Sequence, residues 1–128
     1  MNILHTIYDD FNNPWCGGGG ALRTMEISRH LSDQHQITIV SGAYPNAPKE
    51  ENVDGVQIRR LGTDSSYLKS RMSFAYYASC EIARTKADLW VHQFSAYAPL
   101  WVSAKRRSNS LLEFFHLMGE HATEKYPL

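Results

Sequence analysis

The sequence has only two cysteines, Cys16 and Cys80. One lies in a glycine-rich loop and the other within a helical pattern, so a disulfide framework is not expected and a reducing cytoplasm is the expected compartment. An excess of charge of one sign is also missing. Lys plus Arg and Asp plus Glu both number 13, which leaves no global electrostatic footprint for nucleic acid or an anionic membrane. The one local basic run, Lys105-Arg106-Arg107, ends an expected helix, where cations favour the helix dipole without any partner. No nucleic-acid partner is therefore expected. No apolar stretch approaches the roughly 18 residues that suggest a membrane span, and Met1-Asn2-Ile3-Leu4-His5 lacks the basic n-region and long apolar core of a signal peptide. A peripheral role at the inner face of a membrane stays open. Internal repeats and low-complexity tracts are absent, and 128 residues fit one domain or part of a larger one.

The chain does have four consecutive glycines, Gly17 to Gly20, between an apolar segment, Asn2 to Ile7, and a helix-patterned run from Ala21. Strand, glycine loop and helix in that order form a phosphate-binding arrangement. Glycine lets the main chain approach an anion closely, and the N–H groups and positive dipole end of the following helix attract negative charge. Glycines also mark flexible linkers and ordinary turns, but a linker rarely interrupts the first strand and helix of a domain.

The rest of the chain alternates strands with helices. After Asn2 to Ile7 comes a loop, Tyr8 to Gly19, and then a helix to about Asp33 whose apolar positions are Leu22, Met25, Ile27 and Leu31. Gln36 to Ser41 is a β-branched strand, Gly42 to Asn52 reads as a loop, and Val56 to Leu61 follows the Asp54-Gly55 turn signal as a third strand. A second helix is expected over residues 67 to 86, with Phe74, Tyr77, Ala78 and Ile82 on one side. Asp88 to Gln93, a helix over Ala98 to Arg106 and a strand over Ser110 to Phe115 complete the pattern. From Gly119 another helix begins, so the pattern reads as a fold cut before its last strands. Such alternation implies an α/β fold, Rossmann-like, with a mostly parallel sheet flanked by helices.

Ligands of such sheets gather beyond the carboxyl ends of the strands, where strand order reverses. Three segments fall there: the Tyr8 to Gly20 loop, Gln93-Phe94-Ser95, and His116 with Leu117-Met118-Gly119. Tyr8 and Asp9 are candidates for acceptor contacts, as is Asp10, although loop carboxylates also serve only to solvate. Arg23 is placed either to pair with a phosphate through its forked donors or to lie on a solvated helix face. The aromatic set Tyr67, Phe74, Tyr76 and Tyr77 reads as helix core and rim. His5 and His92 lie within apolar strands, where a hydrogen-bonded core histidine is commoner than a ligand. No close zinc-type ligand pair exists, so no metal is expected.

The dinucleotide fingerprint fits poorly. That motif needs its glycines directly after the first strand and an acidic residue about 20 positions on. Here nine residues, 8 to 16, intervene, and the second strand ends in Ser41-Gly42. No Gly-Lys-Ser/Thr follows the glycines, so Walker A is missing as well.

Taken together these residues resemble the N-terminal domain of retaining glycosyltransferases built from two facing Rossmann-like domains, the GT-B type, of the group 1 or family 4-like kind. The resemblance rests on Met1 to His5 with the late glycine loop Gly19-Gly20-Ala21, on Leu31 to Val40, on Asp54 to Leu61, on Asp88 to His92, and on Phe114-Phe115-His116. It covers nearly all of the chain. It implies transfer of a sugar from a nucleotide-sugar donor, a co-substrate and not a cofactor, with retention of anomeric configuration. It places Gly19 and Gly20 against the donor diphosphate and His116, the catalytic candidate, near the transferred sugar. An imidazole at a strand end also has a physical case of its own, since it donates or accepts a hydrogen bond near neutral pH.

The resemblance has a limit. The family's second, donor-binding domain with its acidic motif has no counterpart in the chain, which therefore reads as a truncated acceptor-side domain that is not active alone. An incomplete sheet implies an edge open to self-association or to another chain. The alternative is a non-catalytic Rossmann-like module for binding or assembly.

Overall fold

The computed structural model describes residues 1–93, 102 and 109–114. In order these form β1 (Asn2–Thr6), α1 (Gly19–Leu31), β2 (Gln36–Gly42), β3 (Glu50–Val53), β4 (Val56–Leu61), α2 (Tyr67–Arg84), β5 (Leu89–Gln93) and β6 (Ser110–Glu113). They build an α/β fold around one six-stranded sheet of order β3-β4-β2-β1-β5-β6. All neighbours run parallel except β3, which is antiparallel to β4.

Alternation along the central strand divides the core. From β1, Ile3 packs on one face with Ile37, Ile39, Val56, Ile58 and Met25 of α1. Leu4 packs on the other with Val40, Trp90 and three residues of α2, Phe74, Ala78 and Ile82. The two helices thus cover opposite faces, as a parallel sheet with both faces apolar requires. Residues outside the described set include most of the expected third helix, the end of the last expected strand, the tail helix and His116.

Two expectations about helix faces are corrected. Of the four apolar positions expected to face inward from α1, only Met25 is buried, while Leu22, Ile27 and Leu31 are exposed. The buried row is Ala21, Thr24, Met25 and Ser28, the i, i+3, i+4, i+7 spacing of a single face. Apart from Met25 its residues are short. In α2, Phe74, Ala78 and Ile82 are buried as expected, but Tyr77 is 48 % exposed and stacks edge-on against exposed Tyr76.

The expected loop from Gly42 to Asn52 ends in a strand. Asp54 (φ 50°) and Gly55 (φ 84°) make a two-residue turn with both residues left-handed, the turn that joins twisted antiparallel strands. It pairs Val53 with Val56 and Glu50 with Arg59. Because β3 is an acidic edge strand it lacks the apolar alternation that identifies strands in sequence.

Gly42, the last residue of β2, lets the chain pass Tyr8. A Cβ there would lie 2.3 Å from Tyr8 Cε2 and 2.6 Å from Cδ2, and the Tyr8 ring is wedged edge-on against Phe74 and Tyr67. Gly42→Ala is therefore expected to lower stability by about 1–3 kcal/mol, the usual cost of overpacking, read as the shift in a urea-unfolding midpoint.

Candidate functional site

Strand order fixes where a ligand crevice lies. The chain steps outward from β1 to β2 and β4, then returns to place β5 on the far side of β1. The reversal puts the switch point between β1 and β5, beyond whose carboxyl ends open α/β sheets bind ligands, and the loop leaving β1 opens α1 there.

α1 begins without a side-chain cap. Its N-cap is Gly18, in extended conformation, with no side-chain cap bond and no acidic residue in the first turn, so no side chain caps the amides at the positive dipole end. The glycines differ in what requires them. At Gly17 a Cβ would meet the carbonyl oxygens of Asn13, Asp10 and Phe11 at 3.1–3.2 Å, so a side chain there would press on the loop's own main chain. At Gly18 it would meet only Asp9 Oδ2, at 3.7 Å, and at Gly19 nothing within 4 Å. The protein's own packing does not require glycine at 18 and 19, and what the missing side chains leave is access to the main chain. Gly20 follows within the first turn of the helix.

Asp10 organises the loop that delivers these glycines. Its amide donates to the Cys16 carbonyl, and its carbonyl accepts from the Asn13 amide. Its Oδ1 accepts from the Asn12 amide, and Oδ2 accepts from Ser41 Oγ (3.2 Å) and from Arg60 Nε (2.8 Å). Asn13 Oδ1 in turn accepts from the amides of Trp15 and Cys16. The Arg60 guanidinium is 1 % exposed and also donates to the Pro48 carbonyl and to Glu51. Burial opposes its charge, but the bonds to Glu51 and Asp10 outweigh it and raise its pKa.

At the α2 side of the crevice, Cys16 Sγ donates to Asp9 Oδ1 at 3.0 Å. Burial first, and then the Asp9 carboxylate, push this thiol up to about 11, so Cys16 stays a protonated donor near neutral pH. The Arg71 guanidinium stacks 4.4 Å from the Tyr8 ring centroid and donates to the Tyr67 hydroxyl at 2.8 Å.

Two polar groups cross the sheet between β1 and its neighbours. Trp90 Nε1 donates to Thr6 Oγ1, and Thr6 Oγ1 lies 2.9 Å from His92 Nδ1. The hydroxyl accepts from Trp90 and keeps both a proton and a second lone pair for His92, so the imidazole tautomer sets the direction of the Thr6–His92 bond. Burial, and secondarily the nearby His5, lower the His92 pKa to about 4. On the opposite face, Glu113 lies 3.3 Å from His5 Nε2 and accepts from Arg23 Nη1 at 3.1 Å. The His5 contact, and then Arg23, hold the Glu113 carboxyl low against the opposing effect of burial.

Of the residues expected at the site, Gly19 and Gly20 open α1 at the crevice, and Asp9 is half-buried beside Gly18. Tyr8 is 4 % exposed, and its hydroxyl donates to Ser70, so it packs beneath the crevice. Arg23 reaches Glu113 at the end of β6. His116 lies outside the described residues. His92 is the hydrogen-bonded core histidine that its apolar strand suggested. Asp10 is a buried, ion-paired residue and does not merely solvate the loop. Arg60, Arg71 and Glu113 were not singled out from sequence, although Arg60 shares the alternating row of Val56 and Ile58, both buried, a position at which an arginine demands an acidic partner. Among the described residues no group of three His, Cys, Asp or Glu side chains could hold a metal, and no helix is long and apolar enough to cross a membrane.

Fold and crevice define the class: an α/β domain with a doubly wound, mostly parallel sheet and a glycine-opened helix at its switch point. Compared with known proteins, the chain matches no family model and no curated sequence.

Proposed function

We propose that the chain is the N-terminal, acceptor-side Rossmann-like domain of a retaining GT-B-type glycosyltransferase, transferring a sugar from a nucleotide-sugar to an acceptor. The observation that supports this reading is the uncapped N-terminus of α1, opened by glycines 18 and 19 whose Cα positions no protein side chain crowds. A leaving diphosphate gains negative charge as the glycosidic bond breaks, and oriented main-chain N–H groups at a helix start stabilise that charge without reorganising. In this reading His116 contacts the transferred sugar, and a second domain supplies the rest of the donor site, so the chain alone binds the diphosphate weakly and transfers nothing. The sheet edge offers a surface for that domain or for another copy.

The test is titration of the protein with uridine and guanosine diphosphates and their glucose and mannose conjugates, followed by amide resonances. At least one is expected to shift the amides of Gly18 to Ala21 with a Kd on the order of 1 mM, and Gly19→Val is expected to abolish the shift. If none of these ligands moves those amides, the glycosyltransferase reading falls and the non-catalytic module takes its place.

A further inference from the structure

We propose that Arg60 is a positioning residue for the glycine loop, acting through Asp10 to hold the amides of Gly18 to Ala21 in the geometry that a diphosphate meets. This deepens the reading above and rests on it only for the identity of the ligand.

Arg60 is four residues past the β-turn and far from the glycines in sequence, yet its guanidinium joins three segments at the carboxyl edge of the sheet. Nε reaches Asp10 in the loop after β1, Nη1 reaches the Pro48 carbonyl in the connection after β2, and Nη2 reaches Glu51 in β3. Its plane also lies over the Tyr44 ring, 5.2 Å from the centroid. A planar fork with fixed donor directions serves three partners at once; an ammonium is a point charge that cannot.

The connection to the glycines is short. Arg60 and Ser41 fix the Asp10 carboxylate, and the Asp10 amide holds the Cys16 carbonyl, the last peptide oxygen before Gly17. Gly17 is clasped in turn against the carbonyls of Asp10, Phe11 and Asn13. Rotation of Asp10 would therefore be passed to the next three peptide planes. A buried ion pair is a poor source of stability compared with an apolar replacement. Its use here is to select one loop conformation, so that the anion meets amides that are already oriented.

Arg60→Lys and Asp10→Asn keep the size and much of the polarity of the site, and Arg59→Lys, on the opposite face of β4, is the control. In Arg60→Lys and Asp10→Asn the Gly17 to Gly20 amide resonances are expected to move, and exchange of the hydrogen-bonded loop amides of Asp10, Asn13 and Cys16 to quicken by about tenfold, with β1 and β5 amides unchanged. Affinity for inorganic pyrophosphate is expected to fall by about tenfold or more. Arg59→Lys should do neither. The proposal is overturned if the glycine amides keep their wild-type shifts and the bonded loop amides their wild-type exchange, or if exchange quickens equally throughout the sheet, which is what general destabilisation would produce. Should wild-type protein bind no pyrophosphate, the diphosphate reading fails on its own, and the exchange comparison alone decides the role of Arg60.

Discussion

Arg60→Met is expected to lower the unfolding free energy by about 3–5 kcal/mol, the cost of removing one partner of a buried ion pair and leaving the other charge unpaired. The Asp10 carboxylate would lose its Nε donor, and the Pro48 carbonyl and Glu51 would lose theirs. The same change at Arg59, whose side chain is 39 % exposed and pairs with Glu81 and Glu50, should cost less, because water screens and replaces part of what is lost. The double replacement Asp10→Leu with Arg60→Met separates charge burial from packing. If the ion pair itself is the issue, the double variant is more stable than the sum of the two single losses predicts. Urea unfolding at neutral pH, with midpoints and slopes compared, gives the answer. A loss below about 1 kcal/mol for Arg60→Met, in the range of an exposed pair, would mean that Asp10 and Glu51 find other donors.

Acidification should destabilise the fold through His92. Its folded pKa of about 4 lies below the ordinary 6.5, so the folded state takes up the proton less readily than the unfolded state. The contribution is whole above pH 6.5 and is lost as pH falls through 4. The difference between 6.5 and about 4, at about 1.4 kcal/mol per pH unit, corresponds to about 3–4 kcal/mol. The structural cause is burial of the ring beside Thr6 and Trp90, which desolvates the added charge, with the nearby His5 as a second contribution. The Glu113 shift acts in the same direction, since a carboxyl held low loses its contribution as acid protonates it. His92→Gln separates the two: the variant should be less stable at pH 7 but lose less between pH 6.5 and 4. Because Trp90 and His92 rings lie 5.2 Å apart, Trp90 fluorescence should follow the same transition. An equal pH slope in wild type and His92→Gln would remove His92 from the account.

Strand positions were legible in the sequence because burial on both faces requires apolar or β-branched residues at nearly every position, as in Ile37 to Val40, and burial on one face leaves alternation, as in Val56 to Leu61. The α1 face was misread for the opposite reason. The buried row carries Ala21, Thr24 and Ser28 beside Met25, and hydrophobic periodicity passes over small and hydroxylated residues. β3 escaped because an edge strand protected by Glu50 and Glu51 carries no apolar signal, although the Asp54-Gly55 turn beside it did. The glycine loop was visible as composition. Its organiser was not, because Asp10 and Arg60 are 50 residues apart and a salt bridge has no sequence period. Arg60 occupied a register position at which the alternation of Val56 and Ile58 already pointed inward.

The short-residue seam of α1 inverts the usual map of mutational tolerance. The helix's largest apolar side chains, Leu22, Ile27 and Leu31, face outward, where change of size or polarity disturbs little packing. Its modest residues Ala21, Thr24 and Ser28 occupy the contact with the sheet. A scale that ranks positions by hydrophobicity would protect the wrong side of the helix.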